Sequence, residues 1–330
     1  MLQSQKYYTL LQDKGYAMID SIFEVFKECA CVIDTMLKNP STKYLSSQNS
    51  SGDTQLEVDV EADKLIEKKL LALDCIKAVC SEEKQEIVHK DPLKQAIEAN
   101  ANASLDSITL GKSKSTNGTA HLSVAYDPLD GSSLIDSNLS VGSIFGIYDG
   151  CLCASGLVAS GYILYGPRLE AVFAKDKVVH YRHNGKIWEK LGELKLQNKG
   201  KINAPGGTQQ HWSEKHRALI ASLFSQGYRL RYSGGMVPDL HQILIKGGGL
   251  FSYPATNDAP KGKLRKLFEV FPFAFIYEKA GGEALTATNN GGTKRILELE
   301  VEHIHDTTAC FLGSKEEITQ VKQTYNDKEW

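Results

Sequence analysis

An α/β fold in two halves, with sheets covered by helices, is what this sequence predicts. Three observations carry the expectation. At 330 residues the chain exceeds the usual single domain of roughly 100–200 residues. Beyond residue 213, segments of helical periodicity alternate with short apolar runs, the pattern of a helix-covered sheet. Over 199–207 the composition turns polar, with Gly200, Pro205, Gly206 and Gly207. That stretch marks a boundary between an N-terminal half, 1–199, and a C-terminal half, 200–330.

The elements follow in chain order. Over 14–38, Ile19, Ile22, Phe23, Phe26, Ala30, Ile33 and Leu37 recur at helical steps and form one apolar stripe. Residues 39–55 are nearly all polar and small, and read as a mobile loop of a length that carries function. Helical periodicity returns over 60–73. IKAVC, 76–80, is a short strand ending on Ser81-Glu82-Glu83. The polar segment 90–120 is an insertion with one helix over 93–99. A strand over 121–126 ends in DPLDGSS. Strands and turn signals fill 140–200, with Asn184-Gly185 a hairpin cue. The second half reads as helix 213–226, strand 228–232, helix 237–246, strand 249–253, helix 263–280 and helix 314–325. Gly247-Gly248-Gly249 matches no phosphate-loop spacing and joins a helix to a strand. Phe268, Phe271, Phe273 and Phe275 are core.

Composition narrows the function. Lys and Arg number 38 against 40 Asp and Glu, a net charge of −2. That balance argues against a nucleic-acid coat or a polybasic membrane binder. Residues 150–167 carry no charge, but Gly, Ser and Pro interrupt them throughout, so they read as buried strands and not a membrane span. The N-terminus has no basic n-region leading an apolar core, so the expected location is cytoplasmic. Seven cysteines without a CxxC read as reduced, mostly buried thiols. The alternative is a redox switch, for which Cys75 and Cys80 are the nearest pair. His303 and His305 read as a polar strand end, because no third ligand is local.

The chemistry concentrates in Asp127-Pro128-Leu129-Asp130-Gly131-Ser132-Ser133, directly after an apolar strand. Two carboxylates three apart, with Pro and Gly turning the chain, can aim oxygens at one point, which suits a hard cation such as Mg2+. Gly131-Ser132-Ser133 offers consecutive amides and hydroxyls of the kind that bind phosphate. A metal beside a phosphate cradle is the layout of a phosphomonoesterase; a plain Asp-Gly turn is the alternative. Glu82 and Glu83 end the preceding strand, and ligand sites gather beyond strand ends. Asp53 lies in the polar loop and Asp59 begins the next helix. Glu269, within KLFEVFPFAF, faces apolar neighbours and needs a cation or a proton.

Gly52-Asp53 with Asp59, Ser81-Glu82-Glu83, DPLDGSS, SVGSIFGIY (140–148), GKLRKLFE (262–269) and EKAGG (278–282) together resemble the fructose-1,6-bisphosphatase/sedoheptulose-1,7-bisphosphatase family, in the family's order. The resemblance implies a layered α/β/α/β/α sandwich and Mg2+-dependent removal of the sugar 1-phosphate, with two or three Mg2+ per site and Mn2+ as a possible substitute. It implies that Glu82, Asp127, Asp130, Glu269 and the Leu129 carbonyl bind the metals. Glu83, helped by Asp59, would take the proton from the attacking water, and Asp53 would close over the metals. Gly131, Ser132 and Ser133 would hold the 1-phosphate. Asn203, Tyr232, Tyr253 and Lys263 would hold the distal phosphate, with Arg231 reaching in from a neighbouring subunit of a homodimer or homotetramer. Asp130, Met236 and Arg265 would lie near the sugar and the 1-phosphate.

Departures from the fructose branch set the expected substrate. Leu134 stands where those enzymes usually carry Asn, and Ser233-Gly234-Gly235-Met236-Val237-Pro238-Asp239 looks like the sedoheptulose form. Gly235 removes a side chain beside the sugar, which gives a seven-carbon chain more room. A Tyr usual shortly after Asn203 is Gly206 here. The expectation is hydrolysis of sedoheptulose 1,7-bisphosphate. Fructose-1,6-bisphosphatase activity, alone or in addition, is the first alternative, and a catalytically silent sugar-phosphate binder the second. The expected partner is the sugar bisphosphate, with no nucleic acid or membrane.

Overall fold

The computed structural model describes residues 2–38, 44–48, 54–90, 121–287 and 292–326. The expected helix at 93–99, the insertion around it, and Asp53 lie outside the described residues. Helix α1 (Leu2–Leu37) leads into the short antiparallel pair β1 (Tyr44–Gln48) and β2 (Thr54–Leu56), where only a loop was expected. Helix α2 (Glu57–Leu71) opens with Glu57 and Asp59 in its first turn, where the helix dipole favours acids. Next come β3 (Ile76–Ser81), β4 (Val88–His89), β5 (Leu122–Asp130), β6 (Val141–Asp149), β7 (Leu157–Tyr165), β8 (Leu169–Ala174), β9 (Val178–His183) and β10 (Trp188–Glu193). They form one sheet in the order β10-β9-β8-β7-β6-β5-β3-β4.

The second half contributes β11 (Ile202–Pro205), α3 (Glu214–Ser225), β12 (Arg229–Leu230), α4 (Met236–Ile245), β13 (Gly249–Tyr253), β14 (Leu264–Arg265), α5 (Phe271–Lys279), β15 (Glu283–Ala287), β16 (Thr293–Arg295), β17 (Thr307–Thr308), β18 (Cys310–Gly313) and α6 (Lys315–Asn326). Its main sheet runs β12-β11-β13-β18-β15-β16.

Side-chain alternation on buried strands creates the layers. On β5, Leu122, Val124 and Tyr126 face α1 and α2, while Ala125 faces α4 and α5. Helix α1 seats its stripe on that first face: Phe26 stacks on Phe145 at 3.8 Å and Phe23 on Phe173 at 4.4 Å between ring centroids. Helices α4 and α5 fill the space between the two sheets, and α3 and α6 cover the far face of the second sheet. The result is the expected α/β/α/β/α sandwich. The core between the sheets draws on both halves, from Ala78 to Leu312.

The expected helix 263–280 forms only in its later part. Residues Leu264–Arg265 pair with Thr307–Thr308, and a π-turn follows over Lys266–Val270 before α5 starts. Pro272 has no N–H for the carbonyl four residues back, which loosens the preceding turn. Tyr148 donates its hydroxyl to the Leu267 carbonyl at 3.1 Å. This turn brings Glu269 into the site. The strand expected at 121–126 also continues through Asp130, with a register shift between Asp127 and Asp130.

The cysteine reading needs a correction. Cys151 and Cys153 form a disulfide on the turn between β6 and β7, while Cys75 and Cys80 are separate buried thiols. Burial pushes the Cys80 thiol far up, which makes it inert. Among the described residues no helix is long and apolar enough to cross a membrane.

Candidate active site

Strands β3 and β5 are the parallel pair of the first sheet, with Ser81 in register with Tyr126. Their C-terminal ends therefore lie side by side. The Glu82 amide donates to the Tyr126 carbonyl at 3.0 Å, which sets Glu82 and Glu83 beside Asp127. The Glu83 amide donates to the Ser81 hydroxyl at 3.2 Å. Lys84, which sequence reasoning missed, anchors this turn to α2 through Asp63 at 3.2 Å and through Glu67.

Asp127 turns one carboxylate oxygen back to the Leu129 amide at 2.9 Å. Asp130 accepts from the first two amides of α4, Met236 at 3.3 Å and Val237 at 2.7 Å. It occupies the place of an N-cap side chain, with the positive end of the helix dipole behind the carboxylate. Glu269 accepts from the Arg265 amide at 2.5 Å, and Arg265 Nε donates to Glu82 at 2.8 Å. Oxygens of Asp127, Asp130 and Glu269 all lie within 4.8 Å of one another.

These carboxylates are under electrostatic strain. Burial, then the charges of Glu82, Asp130, Glu269 and Glu83, holds Asp127 well above the usual carboxylate range. Burial pushes Asp130 up to about 6 against the pull of the α4 amides. Burial, with Asp130 and Glu82, pushes Glu269 up to about 8. Asp59 rises to about 6, chiefly by burial, while the Leu56 amide and Ser132 draw it down. A protein does not keep this many charges in a dry site without cations or protons. The donor set is all hard oxygen, which fits Mg2+ and not a soft metal.

Gly131, at φ +78°, makes the turn that a side chain would strain, and Ser132–Ser137 follows as a 3-10 helix. Ser132 and Ser133 thus sit at the start of a helical segment beside Asp130.

The surroundings of Gly235 are tight. A Cβ there would lie 3.0 Å from Pro238 Cγ and 3.4 Å from Leu134 Cδ1. A side chain at 235 would crowd this chain's own Pro238 and Leu134, which accounts for a glycine there without reference to the sugar. Asp239, also missed, is buried and accepts from the Ser233 amide at 2.8 and 3.0 Å, fixing the segment ahead of α4. Its place one turn into a helix led by two glycines was the available signal.

The expected distal-phosphate residues form a second group. Tyr232 and Tyr253 both close on Gly206, where a Cβ would meet Tyr253 Cδ2 at 2.5 Å and Tyr232 Cε2 at 3.1 Å. No larger residue fits at 206 with both tyrosines in place. Lys263 and Glu269 both act on Tyr253, so this group adjoins the carboxylates. Lys263 pairs with Asp258 at 3.3 Å. Tyr232 and Arg231 are exposed, following the edge strand β12. Asn203 is the exception. It is fully buried in β11, with neither amide atom hydrogen-bonded.

Glu170, His180 and His241 also bring three donor atoms within 4.8 Å. Glu170 Oε1 already accepts from Arg168 at 3.0 Å and Arg182 at 2.8 Å; Oε2 faces His180 Nε2 at 3.0 Å and His241 Nε2 at 3.1 Å. Two guanidiniums on one carboxylate repel a dication, so this is an ion cluster tying α4 to the sheet. His303 and His305 join no such group among the described residues; His305 Nε2 lies 2.8 Å from the Lys84 carbonyl.

The model of the fructose-1-6-bisphosphatase N-terminal domain matches residues 108–193, and that of the C-terminal domain matches 196–326. The chain belongs to the fructose-1,6-bisphosphatase family. It is 61% identical over 308 residues to a class 1 fructose-1,6-bisphosphatase of Helicobacter hepaticus, covering 93% of this chain and 100% of that protein. The Campylobacter jejuni class 1 enzyme is 48% identical over 310 residues, with 94% and 100% covered. A Toxoplasma gondii crystal structure, named provisionally as a sedoheptulose-1,7-bisphosphatase, has TM-score 0.77 at 29% identity, over 96% of this chain and 97% of that one. Leishmania major fructose-1,6-bisphosphatase shares the fold at 24% identity, TM-score 0.79 and 96% coverage of both chains. Membership of this metal-dependent family makes the chain a phosphoric monoester hydrolase of the sugar-bisphosphatase kind, which removes the silent-binder alternative.

Proposed function

We propose that this enzyme hydrolyses the 1-phosphate of fructose 1,6-bisphosphate, with Mg2+ as its metal. The observation that carries the reading is the convergence of Asp127, Asp130 and Glu269, all raised in pKa, with Glu82 alongside and the turn Gly131-Ser132-Ser133 adjoining. Those four side chains and the Leu129 carbonyl would hold the metal. Bound there, Mg2+ supplies charge neutralisation for the phosphate and its leaving oxygen.

The chain's own groups take the remaining roles in this reading. Glu83, at the end of β3 and beside Asp127, accepts the proton of the attacking water, with Asp59 supporting the same cluster. The amides and hydroxyls at 131–133 orient the 1-phosphate. Arg265 lends positive charge beside Glu82. Met236 packs near the sugar. Tyr232, Tyr253 and Lys263 hold the distal phosphate together with the buried amide of Asn203. Asp53, outside the described residues, would serve the metals as a further acid. The exposed Arg231 serves a neighbouring subunit in a homodimer or homotetramer.

The six-carbon sugar is preferred over the seven-carbon one on two supports. The relatives with 61% and 48% identity are named fructose-1,6-bisphosphatases. Crowding of any side chain at 235 against Pro238 and Leu134 gives the glycine a packing role that does not depend on sugar length. The Toxoplasma relative keeps sedoheptulose 1,7-bisphosphate as a second substrate to test. Phosphate release from both sugars, side by side with Mg2+ and with EDTA, decides the matter. Mg2+-dependent turnover favouring fructose 1,6-bisphosphate is expected; a preference for the heptose would reverse the assignment, and no turnover of either would sink it.

A further inference from the structure

We infer that Leu134 is a positioning residue that latches the phosphate-binding turn to the start of α4. The inference rests on the phosphatase reading above and deepens it. Leu134 sits one residue past Ser133, and its amide donates to the Gly131 carbonyl at 2.8 Å. Its methyl groups cover three glycines from two parts of the chain. Cδ1 lies 3.4 Å from where a Cβ of Gly131 or Gly235 would be, and Cδ2 lies 3.3 Å from that of Gly234.

The two backbones meet at this point. A Cβ on Gly131 would be 3.3 Å from Gly235 Cα, so a side chain at 131 would crowd the approach. Gly131 and Gly234 also have positive φ, +78° and +104°, which side chains would strain. Beside this contact, Asp130 accepts from the Met236 and Val237 amides. The segment 130–134 is thus pinned to 234–237 at two places, by a carboxylate at one end and by an apolar side chain at the other. Leu134 carries no polar side-chain atom that could bind a metal or a phosphate. It acts by keeping the amides of Ser132 and Ser133 in one register against Asp130.

The consequence is selective. Loosening the latch weakens whatever the turn holds and leaves the distal site alone. The test is calorimetric titration of Leu134→Ala and wild type, both with Mg2+, using inorganic phosphate and, separately, fructose 6-phosphate. Phosphate affinity is expected to fall about tenfold in the variant, as loss of about one hydrogen bond to the anion would cost. Fructose 6-phosphate, which lacks the 1-phosphate, is expected to bind within about twofold of wild type. Leu134→Met, which refills the space, is expected to restore phosphate binding. If the alanine variant fails to fold, Leu134→Val gives the same comparison with a smaller loss. Unchanged phosphate affinity in a folded variant would overturn the inference, as would an equal loss for both ligands, which marks general loosening. Absence of turnover by wild type would count against the phosphatase reading instead, and the phosphate titration would still judge Leu134.

Discussion

Glu269→Gln is expected to make the metal-free protein more stable at pH 8 while destroying its activity. Glu269 is 9% exposed, and burial beside Asp130 and Glu82 raises its pKa from the ordinary 4.5 to about 8. A carboxyl whose folded pKa is raised binds its proton more tightly when folded. Its contribution to stability is complete below about pH 4.5 and drains away as pH climbs toward 8. At about 1.36 kcal/mol per pH unit, the full interval is roughly 5 kcal/mol. Shared protons among the neighbouring acids reduce this, so about 2–4 kcal/mol is the working figure. Gln keeps an oxygen for the Arg265 amide and carries no charge, so the variant escapes the loss. Urea unfolding in EDTA at pH 5 and pH 8 measures it: the two proteins should nearly coincide at pH 5 and separate at pH 8. Adding Mg2+ should stabilise wild type much more than the variant, because only wild type retains the full ligand set. A Glu269→Gln protein less stable than wild type at pH 8 in EDTA would refute the reasoning that this site is strained until a cation enters.

Glu83→Gln should reduce turnover by at least about a hundredfold with little change in melting temperature, as removal of a general base does; unchanged turnover would remove Glu83 from that role. Gly206→Ala should displace Tyr253 and Tyr232, raising KM for the bisphosphate several-fold with kcat nearly kept, and steady-state kinetics will separate the two. Glu170→Ala should destabilise by about 3–5 kcal/mol in urea, because it strands His180, His241 and two arginines around a lost charge. That loss should be largely independent of Mg2+.

Much of this architecture was legible in the residues, and the exceptions have physical causes. The stripe on α1 was readable because its residues repeat on one face, though the helix begins earlier, at Leu2. The carboxylates of DPLDGSS and the SEE turn were readable because strand ends and turn residues are local signals. Glu269 was readable as a misplaced charge among phenylalanines. The way it reaches the site was not, because Pro272 converts a helical pattern into a π-turn. Gly235 was ambiguous for a related reason. A glycine beside a ligand and a glycine beside a leucine look alike in one dimension, and Leu134 is 101 positions away. Strands such as β15 and β18 were missed because sheet pairing supplies what their short apolar runs do not announce.

The site's carboxylates also have a topological meaning. Asp127 and Asp130 belong to the first sheet, whereas Glu269 arrives from a turn in the second half. A cation held by all three would be a reversible cross-link between the two sheets, closing a loop of well over a hundred residues. Such a closure acts on the unfolded chain as a clasp does, and its grip follows metal concentration. Magnesium would then set how firmly the layers are fastened as well as whether phosphate leaves, and a cell short of the ion would hold an enzyme that is both idle and easier to pull apart.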